Sequence, residues 1–392
     1  MSMDSAAARA ATRSALFGGI DAVSARLASQ VEADERGGTL SAASVEALVE
    51  TGVLRMKLPK VLGGFEADLV TQMEALERLA NINASVGWCA MVGATSLALP
   101  GAFLPDEGLA RMFGDEHMPR GAIVVTPSGT ATPVAGGYRV TGRWSFASGI
   151  RHADWLVAIC REIPAPAEGP GLRWVVVPSG DCLIHDNWQV VGLRGTGSCD
   201  VELQDLFVPS ALSFGAGEAP RRGGALYAIG LPTFVAYEHA GFALGVARRA
   251  LDGVVEILRN KRRGYAPGGV GVADRGALQN MLGRAETRLR AARALAIEVN
   301  EAAWEAASAG RGVDAAQHCE VRSAATYATE VAVDVVNDLF RHAGAAAIFD
   351  HHFMQRCLRD VTVAAQHYMV ADTAYELLGR ARLGIAEVNP MG

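Results

Sequence analysis

The chain has 392 residues, half of them hydrophobic, enough for two or three domains around a large buried core. Its formal charge of −6 argues against nucleic acid as the main partner, and no unbroken run of about 18 apolar residues announces a membrane span. The N-terminal stretch carries an acid and no basic, apolar signal pattern, so a cytoplasmic location is expected.

Over 5–113 the pattern is helical. Ser41 reads as an N-cap, with Val45, Leu48 and Val49 on one face and Gly52 closing the helix. A loop from Leu58-Pro59 to Gly63-Gly64-Phe65 follows. Helical spacing returns over 69–82, where Met73, Leu76 and Leu79 form the apolar stripe. The stretch 85–99 is a very apolar helix whose Gly87, Gly93 and Thr95 let another element approach closely.

The character changes around Pro119. Ile123-Val124-Val125 has the composition of a buried strand, and Thr126-Pro127-Ser128-Gly129-Thr130 reads as a hydroxyl-rich turn. After Gly136-Gly137 and the alternating Tyr138-Arg139-Val140-Thr141 comes a strand, loop, strand pattern over 142–160. Trp144 and Phe146 flank small hydroxyl residues there, a surface suited to a flat ring and one hydrogen bond. Further strands are expected over 172–178, 184–191 and 199–208, giving a compact β barrel or sandwich. From Gly230 the chain is helical, over 231–260, 273–309, 313–343 and 356–386, which predicts a four-helix bundle. The stretch 264–272 is its most flexible connection. The fold class is therefore α+β, with an N-terminal helical domain (1–118), a central β domain (119–215) and a C-terminal bundle (216–392).

Taken singly, the candidate residues have ordinary roles. No Walker loop or strand-linked GxGxxG is present. The six cysteines include no CxxC pair, and the adjacent His351 and His352 do not share a helix face, so no metal is expected. Arg259, Lys261, Arg262 and Arg263 suit a helix C-terminus, with phosphate binding the second reading. His367 falls in an apolar helical stretch, 361–371, where a hydrogen-bonded core histidine is the commoner case.

The order of parts is more specific than any single motif. Together with Ser85-Val86-Gly87-Trp88, Trp144-Ser145-Phe146-Ala147-Ser148-Gly149, Gly192-Leu193-Arg194-Gly195-Thr196-Gly197-Ser198, and Arg359-Asp360 followed by His367, it resembles the acyl-CoA dehydrogenase fold over nearly the whole chain. The match is closer to that fold's oxygen-using branch, the oxygenase components of two-component flavin monooxygenases, such as p-hydroxyphenylacetate hydroxylase, the steroid-degradation phenol hydroxylase, dibenzothiophene monooxygenase and amino-sugar N-oxygenases. Where the dehydrogenases commonly carry a carboxylate base, this chain reads His367-Tyr368-Met369, and a tyrosine is a poor base near neutral pH.

The resemblance implies a C4a-hydroperoxyflavin formed from reduced flavin (FMNH2 or FADH2) and O2. Ser148 would engage flavin N5. His367 would bond the peroxide or take a substrate proton. Thr126, Ser128 and Phe146 would contact the flavin, Arg262 a cofactor phosphate, and Gly344 the nucleotide end. Trp88, Thr95 and Tyr368 would line a pocket for a small, apolar, aromatic substrate. A separate NAD(P)H-dependent flavin reductase and a homotetramer complete the expectation. The alternatives are an acyl-CoA dehydrogenase and a non-catalytic scaffold. Where several aromatic hydroxylases of this branch place a histidine after Gly-Trp, this chain has Ala94-Thr95-Ser96, so no second active-site histidine is expected.

Overall fold

The computed structural model describes residues 3–114, 117–167, 169–263, 270–385 and 389–391. Five helices come first: α1 (Met3–Gly37), α2 (Ala42–Glu50), α3 (Leu69–Ile82), α4 (Ala84–Phe103) and α5 (Asp106–Phe113). Ser41 caps α2 by accepting the Ser44 N–H, and Asp68 and Asn83 cap α3 and α4 in the same way. Of the expected stripe on α2, Val45 and Leu48 are buried and Val49 is exposed.

α4 corrects the membrane argument. It is long and apolar enough to cross a bilayer, but 83% of its apolar window is buried inside the protein. A helix apolar on every side belongs in a core as well as in a membrane. Gly87 allows α4 to lie close on α3, because a Cβ there would stand 2.9 Å from the Ala80 backbone.

The strands β1 (Gly121–Val134), β2 (Gly137–Ala147), β3 (Trp155–Glu162), β4 (Leu172–Pro178), β5 (Leu183–Ile184), β6 (Cys199–Pro209) and β7 (Ser213–Gly215) make one sheet. Its order is β5-β6-β2-β1-β3-β4-β7, with β1 and β3 parallel and the other pairs antiparallel. Two expectations change here. The strand expected over 184–191 is only the two-residue β5. The turn expected at 126–130 is part of β1, which leaves register with β3 between Val124 and Gly129. Pro127 has no N–H to give the ladder, so the strand bulges there and continues.

The second half holds α6 (Thr233–Asn260), the short pair β8 (Arg262–Arg263) and β9 (Val270–Gly271), then α7 (Gly276–Ser308), α8 (Ala315–Ala343), α9 (Phe353–Ala364) and α10 (Thr373–Arg382). Residues 264–269 of the expected flexible connection lie outside the described residues. The helix expected over 356–386 is broken, so His367 sits in a turn rather than in a helix. Arg322 of α8 braces that turn. Its guanidinium, almost fully buried, donates to the carbonyls of Tyr368 (2.9 Å), Met369 (3.3 Å) and Pro390 (2.9 Å). The Tyr368 carbonyl also accepts the Ala371 N–H at 3.3 Å, so one oxygen holds both the turn and the buried cation.

A buried ion pair ties the first helices to the bundle. Lys57 follows α2, and its Nζ donates to Glu238 of α6 (2.9 Å), Thr95 of α4 (2.9 Å) and the Phe234 carbonyl (2.8 Å). All three ammonium protons are used. Burial pushes the Glu238 carboxyl up to about 7 and the Lys57 ammonium down. Removing one partner of such a pair costs about 3–5 kcal/mol, because the other charge stays buried alone. Lys57→Met should therefore lower the unfolding free energy, read from urea midpoints, by about 3 kcal/mol. The double variant Lys57→Met/Glu238→Leu should recover most of that loss. An unchanged midpoint in the single variant would remove the pair from this role.

Candidate active site

The end of β2 is distorted, and the distortion builds the site. Pairing of β2 with β6 breaks register between Trp144 and Ala147. Phe146 takes φ 66°, a conformation bulky side chains rarely adopt, and its ring is 70% exposed. Trp144, by contrast, is a core residue whose indole donates to the Ile159 carbonyl at 2.9 Å. The bulge turns Ser148 inward, where it is buried.

Ser148 joins two parts of the chain that the sequence analysis singled out separately. Its Oγ accepts the Trp88 indole N–H from α4 at 3.1 Å. It also lies 2.7 Å from Ser198 Oγ, which is 2.7 Å from Thr196 Oγ1. The loop carrying Thr196 and Ser198 is anchored to α9. Asp360 accepts the Leu193 N–H at 2.6 Å, and a Cβ on Gly192 would meet the Arg359 carbonyl at 2.4 Å. The motifs 192–198 and Arg359-Asp360 are thus one contact. Leu193 itself has φ 53°.

On the other side of Trp88 stands His367. Its ring centroid is 5.9 Å from the indole and 4.4 Å from the ring of His239 on α6. His239 and Phe242 also meet Trp88 edge-on, at 5.7 and 5.1 Å. A second histidine is therefore beside the first, contrary to expectation. It comes from α6, not from the α4 position held by Thr95. Nothing around Tyr237-Glu238-His239 marks it in the sequence except polar residues on a helix whose neighbours are buried.

Both rings are held neutral. Loss of water around the ring pushes His367 down to about 4. Burial, then the nearby His367 and Lys57, push His239 well below its ordinary value. His367 Nδ1 accepts the Met369 N–H at 3.3 Å, which leaves the proton of the neutral ring on Nε2. His367 is therefore a neutral ring whose donor is Nε2.

The remaining expected site residues stand elsewhere. Thr95 is buried and serves Lys57. Tyr368 is 41% exposed, its ring 5.5 Å from that of His367. Thr126 and Ser128 lie on the exposed bulge of β1 and, among the described residues, share no hydrogen bond with Ser148 or His367. Arg262 is an exposed residue of β8. Gly344 (φ 96°) lies near it in space, because Lys261 Nζ reaches the Ala343 carbonyl at 3.4 Å. A Cβ on Gly344 would stand 2.2 Å from that ammonium. The two share a corner of the bundle, apart from the Ser148 cluster.

These residues fit a flat aromatic cofactor. Phe146 and Val125 present exposed apolar surface, Trp188 stands edge-on to Phe146 at 6.3 Å, and Ser148 brings a hydroxyl to the end of β2.

Two family models match the chain: the acyl-CoA dehydrogenase N-terminal domain over residues 20–103 and the acyl-CoA dehydrogenase C-terminal domain over 237–372. The indole-3-acetate monooxygenase of Pseudomonas putida is 31% identical over 97% of this chain and 98% of its own length. The flavin-dependent monooxygenase oxygenase subunit HsaA of Rhodococcus jostii is 30% identical over 89% of this chain and 93% of its own. Among solved structures, XiaF from Streptomyces sp., in complex with FADH2 and glycerol, superposes with a TM-score of 0.87 at 27% identity, covering 99% of this chain and all of that one. The chain belongs to the acyl-CoA dehydrogenase-fold family and, within it, to the oxygenase components of flavin-dependent monooxygenases.

Proposed function

We propose that this monooxygenase, working with reduced flavin and O2, oxygenates a small, apolar, aromatic substrate bound beside the cluster of Trp88, His239, Phe242 and His367. The observation that carries this reading is the arrangement around one indole. Trp88 touches the Ser148 hydroxyl on one side and two neutral histidines on the other. The rings meet edge-on, the geometry that also receives another aromatic ring well. The names of its relatives agree with this class, since they act on indole-3-acetate and, in Rhizobium sp., on resorcinol.

A bound reduced flavin supplies the two electrons with which O2 gives one oxygen atom to the substrate and one to water. The protein's share is to exclude water and hold protons in place. Ser148 is proposed to meet N5. Phe146, Thr126 and Ser128 are proposed to face the ring system, with Arg262 and Gly344 at the cofactor's phosphate and nucleotide end. His367 is proposed to donate from Nε2 to the oxygen being transferred, and Tyr368 to border the substrate. Thr95 acts one step back, by holding Lys57.

The name of the HsaA relative, an oxygenase subunit, supports a separate flavin reductase as partner. We extend the proposal to an NAD(P)H-dependent reductase, a homotetramer, a cytoplasmic setting and domain limits at 118/119 and 215/216. The dehydrogenase reading needs a free carboxylate. Glu238, on the turn of α6 that carries His239, is ion-paired instead.

Two outcomes are expected. With reduced flavin, a reductase and an indole or phenol substrate, the enzyme should place one atom of 18O2 in the product. Anaerobic reduction of bound FAD by an acyl-CoA, with no labelled product, would overturn the reading. His367→Ala should lower product formed per O2 consumed at least tenfold, since removing one such donor costs on the order of 10²-fold. His367→Gln, which restores an N–H, should stay within about threefold of the wild type.

The pH dependence follows from the same ring. A histidine whose pKa is lowered on folding to about 4 takes no proton in the native state between 6.5 and 4, while the unfolded chain does. Stability is therefore full above about 6.5 and falls as the pH drops toward 4. The coupling of O2 to product should show no His367 inflection between about pH 5 and 8. An inflection near 6.5 that disappears in His367→Gln would show that the ring titrates instead.

A further inference from the structure

The hydroxyls beside Ser148 form a chain, and its two ends fix where every proton in it lies. At one end, Thr196 Oγ1 is 2.7 Å from the Leu193 carbonyl, which can only accept. Its single proton goes there. Thr196 Oγ1 must then accept from Ser198, 2.7 Å away, which spends the Ser198 proton. Ser198 must in turn accept from Ser148, also 2.7 Å away, which spends the Ser148 proton. At the other end the Trp88 indole N–H can only donate, and it donates to Ser148 at 3.1 Å. The order of donation is Trp88 to Ser148 to Ser198 to Thr196 to the Leu193 carbonyl. Ser148 is left with one unused lone pair and no free proton.

We infer that Ser198 and Thr196 are positioning residues that make Ser148 a pure hydrogen-bond acceptor, so that the site selects a flavin carrying a proton on N5 over one that does not. The inference rests on the proposal that Ser148 faces N5. A reduced flavin offers an N–H at that atom, which Ser148 can accept. An oxidised flavin offers a lone pair there, which Ser148 cannot serve without reversing the whole chain. The discrimination comes from two residues that need not touch the flavin. It also gives the enzyme a reason to release the oxidised cofactor for renewed reduction.

The surroundings make the chain separable from folding. The Leu193 carbonyl also accepts from the Thr196 N–H (3.1 Å) and the Trp188 indole (3.2 Å), so losing the Thr196 hydroxyl does not strand it. Thr196→Val keeps the shape of the side chain and frees the Ser198 proton to turn toward Ser148. Ser198→Ala removes the acceptor of the Ser148 proton and frees it toward the ligand. Both variants leave Ser148 with a proton it can donate to the ligand.

The test is anaerobic titration of the full-length protein with FMN and FAD, each in reduced and oxidised form. The quantity read is the ratio of dissociation constants. The wild type should bind the reduced form about tenfold or more tightly, the worth of one well-placed hydrogen bond. Ser198→Ala and Thr196→Val should each cut that ratio about tenfold, which makes the midpoint potential of the bound flavin about 30 mV more negative. Thr196→Ser should keep the wild-type ratio. Variants that bind flavin with an unchanged ratio would overturn the inference and leave Ser148 at N5 untouched. Equal affinity of the wild type for both forms would overturn it without any variant. A wild type that binds neither form would sink the flavin placement, and this inference with it.

Discussion

An indole N–H can give a hydrogen bond and can take none. At Trp88 that restriction reaches through the whole site. The ring must be carried to within 3.1 Å of Ser148, so the helix that bears it must lie where the end of β2 can meet it. Everything that seats α4 then helps to place the Trp88 indole. Gly87 lets it settle on α3, and Lys57 bonds Thr95, two turns farther along the same helix. The loop at 192–198, pinned to α9 by Asp360, brings the other end of the same hydrogen-bond chain. Three parts of the chain, far apart in sequence, converge on one serine oxygen.

The histidine side is built by a similar restriction on a cation. Arg322 is buried without a carboxylate partner among the described residues, and burial lowers its pKa. A guanidinium in that position must be answered by carbonyl oxygens. The chain supplies them by leaving its helix after Ala364 and turning through 365–372. His367 is carried against Trp88 and His239 by that turn, with Nδ1 occupied by the Met369 amide. Its tautomer follows from the way the backbone is bent.

This division explains what the sequence made legible. The three-part order of elements, Trp88 and the paired motifs at 192–198 and 359–360 are local patterns, and local patterns survive in a linear string; the stretch 142–149, expected as a loop, is strand as far as Ala147. Ser41 and Gly52 punctuate α2 for the same reason. The break at 365–372 is hidden because Ala364-Ala365-Gln366-His367 holds neither glycine nor proline, and the arginine that braces the turn lies more than 40 positions away. His239 was hidden because it lies in mid-helix, and only packing shows that it meets His367. The bulge in β1 was misread as a turn because hydroxyls and a proline mark both.

The buried pair of Lys57 and Glu238 draws the line between this enzyme and a proton-abstracting one on the same scaffold. A lone carboxylate in that core would be a strong base candidate, its pKa raised by burial. Here Glu238 Oε2 is bound by an ammonium whose protons are all engaged, while Oε1 has no hydrogen-bond partner among the described residues. The polar work of the pocket passes to groups that are neutral near pH 7: an indole, three hydroxyls and two uncharged imidazoles. Such groups hold a proton in a fixed place and resist moving it. Oxygen insertion from a reduced flavin needs that kind of site, because a proton released early gives hydrogen peroxide and no product. If Ser148 faces the flavin as proposed, the ion pair and the hydroxyl chain answer one requirement, that protons at this centre stay where they are put.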